Sequence, residues 1–260
     1  MEIIRVRFIE KAESEGCESA PTEILKHFKN IECKENGDRI EKEKITFEEI
    51  HVDLGNQKES EHLIFENSKE SFEKNFRTFF IGGDTSINFP LINAFFTTEK
   101  NPLVLVFDAH CGCSNSELMN KNWIKRIINE GEDGRKIVLI GPRCFEDGEK
   151  DFLKEHNILC ITNNFLGEDL EGICDSLMER SRNSSGFLII LDMDFIDPAF
   201  APGVNKVEPG GLSTREMIYF VKRLRKLENF RGAGILGINP SKDLNNITTS
   251  LGARVLAEFL

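Results

Sequence analysis

Two apolar runs decide the fold: Leu103-Val104-Leu105-Val106-Phe107 and Phe187-Leu188-Ile189-Ile190-Leu191. A strand with one solvated face alternates apolar and polar residues, but neither run has a polar face. Both runs therefore predict strands that are covered by helices on each side. This is the arrangement of a mostly parallel sheet in a three-layer αβα domain of the α/β class.

Shorter β-branched and aromatic runs recur along the chain and alternate with stretches of helical period, as in βαβ units. The charges of Glu2, Arg5 and Arg7 alternate with apolar residues, which is typical of an edge strand. We predict strands near residues 3–9, 46–53, 78–82, 103–107, 137–141, 159–162, 187–192 and 233–239.

Local signals place two helices and one irregular segment. Pro21 is typical of a first helical turn, and the stretch from Ser213 to Glu216 forms a capping box that opens a helix reaching Leu227. Residues 32–44 are rich in lysine and glutamate and poor in apolar residues. They predict a surface loop or an irregular hairpin.

The size and composition favour one domain over residues 1–260. A chain of 260 residues that is 40% hydrophobic has enough material for one large core, and no stretch resembles a linker. The net charge of −11 disfavours nucleic acid and anionic membranes as partners, because like charges repel. No apolar run approaches membrane-spanning length.

The cysteine pattern indicates the compartment. Seven cysteines are scattered along the chain without a secretory leader, which argues against a disulfide framework. We therefore expect a soluble, cytoplasmic protein.

Two short acidic motifs follow the two apolar runs directly. These are Asp108-Ala109-His110 and Asp192-Met193-Asp194. Ligands gather beyond the carboxyl ends of strands in such sheets, and alternate side chains of extended backbone point to the same side. Asp108, His110, Asp192 and Asp194 therefore predict a divalent metal site. Carboxylate and imidazole suit manganese, zinc or iron without selecting among them.

The ordinary role of an aspartate at the end of a strand is to cap the next helix or to sit in a solvated turn. Two such pairs at equivalent strand ends, one of them with a histidine, favour the metal site. Cys111 and Cys113 flank His110 and are candidate thiolate ligands, although burial is the commoner fate of cysteine. Trp123 is interpreted as core, and His156 as a residue at a helix end.

Six stretches that occur in order along the chain resemble motifs of the arginase or ureohydrolase family of di-manganese amidine hydrolases. They are residues 16–21, the Gly-Gly-Asp-Thr-Ser run at 82–86, residues 107–112, residues 191–203 with Asp197-Pro198 and Ala201-Pro202-Gly203, residues 210–213, and Ile238-Asn239-Pro240 with Asp243. The resemblance implies an arginase-like αβα fold with a mostly parallel sheet of about eight strands. It also implies hydrolysis of a C–N bond in a small molecule. Trimers and hexamers are common in that family, so a homo-oligomer is a further expectation.

The departures from the family pattern affect one of its two metals. Thr85 stands where the family has a histidine ligand, and Gly112 where it has an aspartate. The resemblance assigns all ligands of the other metal, which are Asp108, His110, Asp192 and Asp194. We therefore expect one ion per chain, manganese rather than zinc. If Asp192 turns away, the remaining three resemble the single zinc site of histone-deacetylase-like enzymes.

Substrate recognition also departs from the family. Gly237 stands where the family has a glutamate that binds guanidinium, and no histidine lies between His110 and His156. Two hypotheses follow: a hydrolase of an amidine or guanidino-type C–N bond with a reduced, one-metal centre, and a catalytically impaired member that acts as a metal-binding structural or regulatory subunit. A third hypothesis is a nucleotide- or sugar-binding protein without a metal.

Overall fold

The sheet is eight-stranded and parallel throughout. A computed structural model describes residues 1–10 and 12–260. The strands of these residues are β1 Glu2–Val6, β2 Thr46–Ile50, β3 Thr78–Gly82, β4 Pro102–Phe107, β5 Ile137–Ile140, β6 Leu159–Ile161, β7 Gly186–Asp192 and β8 Phe230–Leu236. Their order in the sheet is β2-β1-β3-β8-β7-β4-β5-β6. The predicted α/β class and the sheet of about eight strands are confirmed.

Helices cover both faces of this sheet. They are α1 Ala20–Phe28, α2 Gln57–Lys74, α3 Asn88–Thr98, α4 Met119–Asn129, α5 Glu149–Glu155, α6 Asn163–Glu168, α7 Leu170–Arg182, α8 Thr214–Leu224 and α9 Ile247–Phe259. Leu105 and Phe107 of β4 pack in one core cluster with residues of α1, α7, α8 and α9. Val104 and Val106 pack in the other with residues of α2, α3 and α4. Alternate side chains of β4 thus point into two separate cores, one on each face of the sheet. Helices cover both cores, which produces the three layers.

Several strand predictions are wrong in detail, and β1 and β2 each end three residues earlier than predicted. Strand β1 lies between β2 and β3 and is not an edge strand, and its Arg5 forms an ion pair with Glu49 of β2 at 2.6 Å. Strand β8 begins and ends three residues earlier than residues 233–239 suggested. It stops before Gly237 because that residue has a φ of 75°, which extended backbone does not adopt.

The local signals are confirmed. Ser213 and Glu216 form the complete capping box at the start of α8, and Pro21 lies in the first turn of α1. Helix α8 ends at Leu224, three residues before the predicted Leu227. Residues 32–44 form an irregular segment with an isolated antiparallel bridge between Cys33 and Arg39. Among the described residues, no helix is both long enough and apolar enough to cross a bilayer.

Candidate metal centre

The two acidic motifs meet because β4 and β7 are neighbours. Phe107 pairs with Leu191, so Asp108 and Asp192 leave the sheet side by side at its carboxyl edge. Each aspartate then accepts a hydrogen bond from the backbone two residues later, Asp108 from the His110 N–H at 2.7 Å and Asp192 from the Asp194 N–H at 3.0 Å. These tight turns direct the side chains of both motifs into one space.

Three of the four predicted ligands surround a common point. One donor atom each of Asp108, His110 and Asp194 lies within 4.8 Å of the others. The His110 Nδ1 is 2.8 Å from Asp194 Oδ2 and 3.6 Å from Asp108 Oδ1. Donors bound about 2 Å from a single ion have comparable spacing. The residues present therefore fit one divalent cation.

Asp192 lies beside this group, but the group that the described residues form does not include it. Its carboxylate occupies the space that a Cβ on Gly237 would enter. It still lines the same pocket as Asp108, His110 and Asp194. The structure thus brings all four predicted residues together and gives three of them the spacing of ligands to one ion.

Burial and mutual repulsion shape the charges of this group. Burial and the charge of Asp194 raise the pKa of Asp108 to about 6, and the same causes raise the pKa of Asp192 well above its usual value. Burial alone would lower the pKa of His110, but its contacts with Asp108 and Asp194 outweigh burial and raise that pKa to about 11. The contact with His110 likewise outweighs burial at Asp194 and lowers the pKa of Asp194. A divalent cation would compensate this group more fully than the imidazolium does.

The group lies in a cavity of about 290 Å³ at the carboxyl edge of the sheet. Lining carboxylates outnumber the basic residues of the described lining, which are His110, Lys121 and Lys206. The field in this cavity therefore favours cationic ligands. The lining carboxylates are those of Glu13, Asp84, Asp108, Glu146, Glu149, Asp192 and Asp194.

Sequence reasoning missed two residues at this site, Cys144 and Glu208. One donor atom each of His110, Cys144 and Glu208 lies within 4.8 Å of the others, and His110 Nε2 is 3.4 Å from Glu208 Oε1. Cys144 follows β5, which pairs with β4, so it also lies beyond the carboxyl end of a parallel strand, where ligands gather in such sheets. Glu208 lies in the loop before α8, and no local signal marks it.

Cys111 and Cys113 are both buried in the core, and the structure places neither in the two donor groups formed by the described residues. The hydrogen bond with Cys113 and burial raise the pKa of the Cys111 thiol, which disfavours a thiolate there. Trp123 is fully buried, and the His156 Nδ1 lies 2.9 Å from the Phe152 carbonyl at the end of α5. The interpretations of Trp123 and His156 are confirmed.

Thr85, Gly112 and Gly237, where we expected departures from the family pattern, each have close neighbours of their own. The Thr85 hydroxyl donates to the Asn120 carbonyl at 2.9 Å. Gly112 has a φ of 65°, and a Cβ there would overlap the indole ring of Trp123. A Cβ on Gly237 would likewise overlap the carboxylate of Asp192. Neither glycine has room for a side chain in this arrangement.

The parallel sheet between two layers of helices places the protein in the α/β class. The carboxylates and the histidine beyond the strand ends form its candidate metal centre. The chain matches the model of the arginase family over residues 2–260. It belongs to the arginase family.

Relatives in this family include enzymes with different names. A formimidoylglutamase from Bacillus subtilis (strain 168) is 30% identical over 190 residues, which are 69% of this chain and 59% of that protein. An arginase from Staphylococcus aureus (strain COL) is 26% identical over 255 residues, 88% of this chain and 84% of that protein. The chain thus spans about three fifths of the length of these formimidoylglutamases, 59% of the one from Bacillus subtilis and 61% of a second one from Halalkalibacterium halodurans.

Solved structures share the fold. The crystal structure of the Bacillus subtilis formimidoylglutamase superposes with a TM-score of 0.92 at 24% identity, over 99% of this chain and 85% of that one. The proclavaminate amidino hydrolase from Streptomyces clavuligerus superposes with a TM-score of 0.89 at 21% identity, over 99% and 89%. At these identities the likeness establishes the fold.

Proposed function

We propose that this protein is a metal-dependent hydrolase that cleaves a C–N bond of an amidino group in a small molecule. The observation that carries the proposal is the convergence of Asp108, His110 and Asp194 in an acidic cavity at the carboxyl edge of the sheet. Membership of the arginase family supports the reaction class.

We further propose that Asp108, His110 and Asp194, with Asp192 beside them, hold one manganese ion per chain. Carboxylate oxygens dominate this set, and hard oxygen ligands suit manganese better than zinc. A divalent ion bound there supplies a Lewis acid that polarises the substrate and activates a water molecule.

The surrounding residues attract and orient a cationic amidine. Asp84, Glu146 and Glu149 add carboxylates to the cavity wall beyond the three proposed ligands. Glu149 is only 4% exposed, and its carboxylate accepts the Glu146 N–H at 2.8 Å. Planar amidinium groups form strong charge-assisted hydrogen bonds with such carboxylates.

The cavity favours a small amidine over the guanidinium group of arginine or agmatine. Gly237 offers no carboxylate, and the space for one is filled by Asp192. Lys121 and Lys206 also line the cavity. With His110, they supply the positive charge of its described lining. An N-formimidoyl amino acid has a cationic head and an anionic tail that match these charges, and two relatives are named for such a substrate.

The test is a comparison of substrates on manganese-loaded protein. N-formimidoyl-L-glutamate should be cleaved to the free amine and formamide at rates ordinary for enzymes, on the order of 10 per second. Arginine and agmatine should release no urea above background, because position 237, where the family resemblance expects the carboxylate that binds guanidinium, is a glycine. Urea release from either at the ordinary rate would contradict the proposed selectivity.

A second candidate function is that of a catalytically impaired, metal-binding structural or regulatory subunit. The filled spaces beside Gly112 and Gly237 favour it, because the described structure leaves no room there for family ligands. Under this alternative, manganese raises the thermal stability, but none of a panel of amidines and guanidines turns over. One hydrolysed substrate in that panel excludes it.

The remaining expectations are also proposals. All eight described strands share one sheet, which supports one domain over residues 1–260 and predicts a single cooperative unfolding transition. A homo-oligomer and a cytoplasmic location rest on the family resemblance and the cysteine pattern.

A further inference from the structure

The imidazole of His110 has two polar faces. Its Nδ1 faces Asp194 and Asp108, which are part of the manganese site proposed above. Its Nε2 faces Glu208 at 3.4 Å, and Cys144 completes a separate group of three donors on this side. Thiol, imidazole and carboxylate thus meet at a place that shares only His110 with the manganese site.

Backbone hydrogen bonds hold this second group in place. The N–H groups of Arg143 and Cys144 both donate to the Ala109 carbonyl, at 2.9 and 3.1 Å, next to His110 in the chain. The Arg143 guanidinium donates to the Asp194 carbonyl at 2.6 Å and to the Glu208 carbonyl at 2.5 Å. One arginine therefore ties the loop that carries Glu208 to the turn that carries Asp194. The donors are positioned before any ligand binds.

The chemistry of the group favours zinc. Zinc binds thiolate, imidazole and carboxylate, and a site with three protein ligands keeps a fourth position open. Manganese, in contrast, prefers oxygen donors. The Asp194 carboxylate, 2.8 Å from Nδ1, is placed to accept the Nδ1–H, which leaves the lone pair on Nε2. All three residues are only partly buried, so an ion can reach them.

We propose that His110 Nε2, Cys144 Sγ and the Glu208 carboxylate form a zinc site, and that zinc bound there competes with manganese for His110. A neutral imidazole offers a lone pair at one nitrogen only, so one His110 serves one ion at a time. The zinc site stands on its own donors, whereas the competition rests on the proposed manganese site.

Cobalt(II) is the probe for the zinc site, because it replaces zinc and absorbs when bound to thiolate. The cobalt-loaded protein should show thiolate-to-cobalt charge transfer in the near ultraviolet. Cys144→Ser should remove this absorption, and Cys160→Ser, a control at another half-buried thiol, should keep it. Absence of the band from the unmodified protein, or its persistence in Cys144→Ser, overturns the site.

A second measurement needs no variant. At a zinc concentration about ten times the Kd, the alkylation of Cys144 by iodoacetamide should slow by about 10-fold, because only the thiolate that is not bound to the ion reacts. The exposed Cys33, followed in the same sample by peptide mass spectrometry, should react at an unchanged rate. Equal reaction of Cys144 with and without zinc overturns the site.

The competition has its own readout. Excess zinc should lower the manganese retained by the unmodified protein but not by Cys144→Ser. If the unmodified protein retains no manganese even without zinc, the manganese proposal fails while the cobalt result still decides the zinc site. If zinc displaces manganese equally from both proteins, the competition does not act through Cys144 and is overturned.

Discussion

Asp108→Ala, His110→Ala and Asp194→Ala are each expected to lose manganese on desalting and to lose measurable hydrolysis with it. The donor atoms of these three residues lie within 4.8 Å of one another, so each substitution removes one of the few ligands of a single ion. Removal of an outer partner of a metal ligand already costs roughly 10- to 100-fold in affinity, and removal of a ligand itself should cost more.

Two matched variants control for general effects of the substitutions. His156 lies at the end of α5, and Asp175 pairs with Arg223 on the surface. His156→Ala and Asp175→Ala should retain about one manganese per chain. Elemental analysis of desalted proteins that have native circular dichroism gives the answer. Normal manganese content in Asp108→Ala and His110→Ala would locate the site elsewhere.

Gly112→Ala is expected to destabilise the protein by about 2–5 kcal/mol. The positive φ of Gly112 costs a residue with a Cβ roughly 1–2 kcal/mol. Overlap with the buried indole of Trp123 adds about 1–3 kcal/mol, because a packed core has little room to yield. Packing against Trp123 therefore restricts position 112 independently of any role in metal ligation.

Gly131 provides the control, because it has a φ of 96° and nothing within 4 Å of an added Cβ. Gly131→Ala should lower the free energy of unfolding only by the cost of the positive φ, about 1–2 kcal/mol. Urea unfolding of both variants, compared by midpoint at equal slope, separates the two contributions. Equal losses in the two variants would mean that Trp123 does not restrict position 112.

The sequence was sufficient for the parts of the protein that depend on short-range patterns. The apolar runs of β4 and β7 predicted buried parallel strands, and the motifs after them predicted which side chains meet at the sheet edge. Period-two alternation predicted that Asp108 and His110 share a side of the chain. They do meet, but β4 ends at Phe107, and a turn in which the His110 N–H donates to Asp108 brings them together. The resemblance in six ordered motifs agreed with the family match over residues 2–260.

The parts that depend on the packing of distant segments were not predictable in this way. Glu208 reaches His110 because Arg143 ties its loop to the turn after β7, and no sequence spacing encodes that tie. The charged alternation of β1 suggested an edge, but Glu49 of β2 provides a partner for Arg5. The Asp192 carboxylate lies beside Gly237 and outside the three-residue group. This neighbour is distant in sequence, so no local pattern predicts it.

The proposed hydrolase function requires a manganese ion held by Asp108, His110 and Asp194. An anomalous difference map from crystals of the manganese-loaded protein tests this directly. We predict one strong peak about 2 Å from the Asp108 and Asp194 carboxylates and from His110 Nδ1. A map with no peak there, or with a second peak of equal height beside Thr85 and Gly112, would contradict the proposed one-ion site.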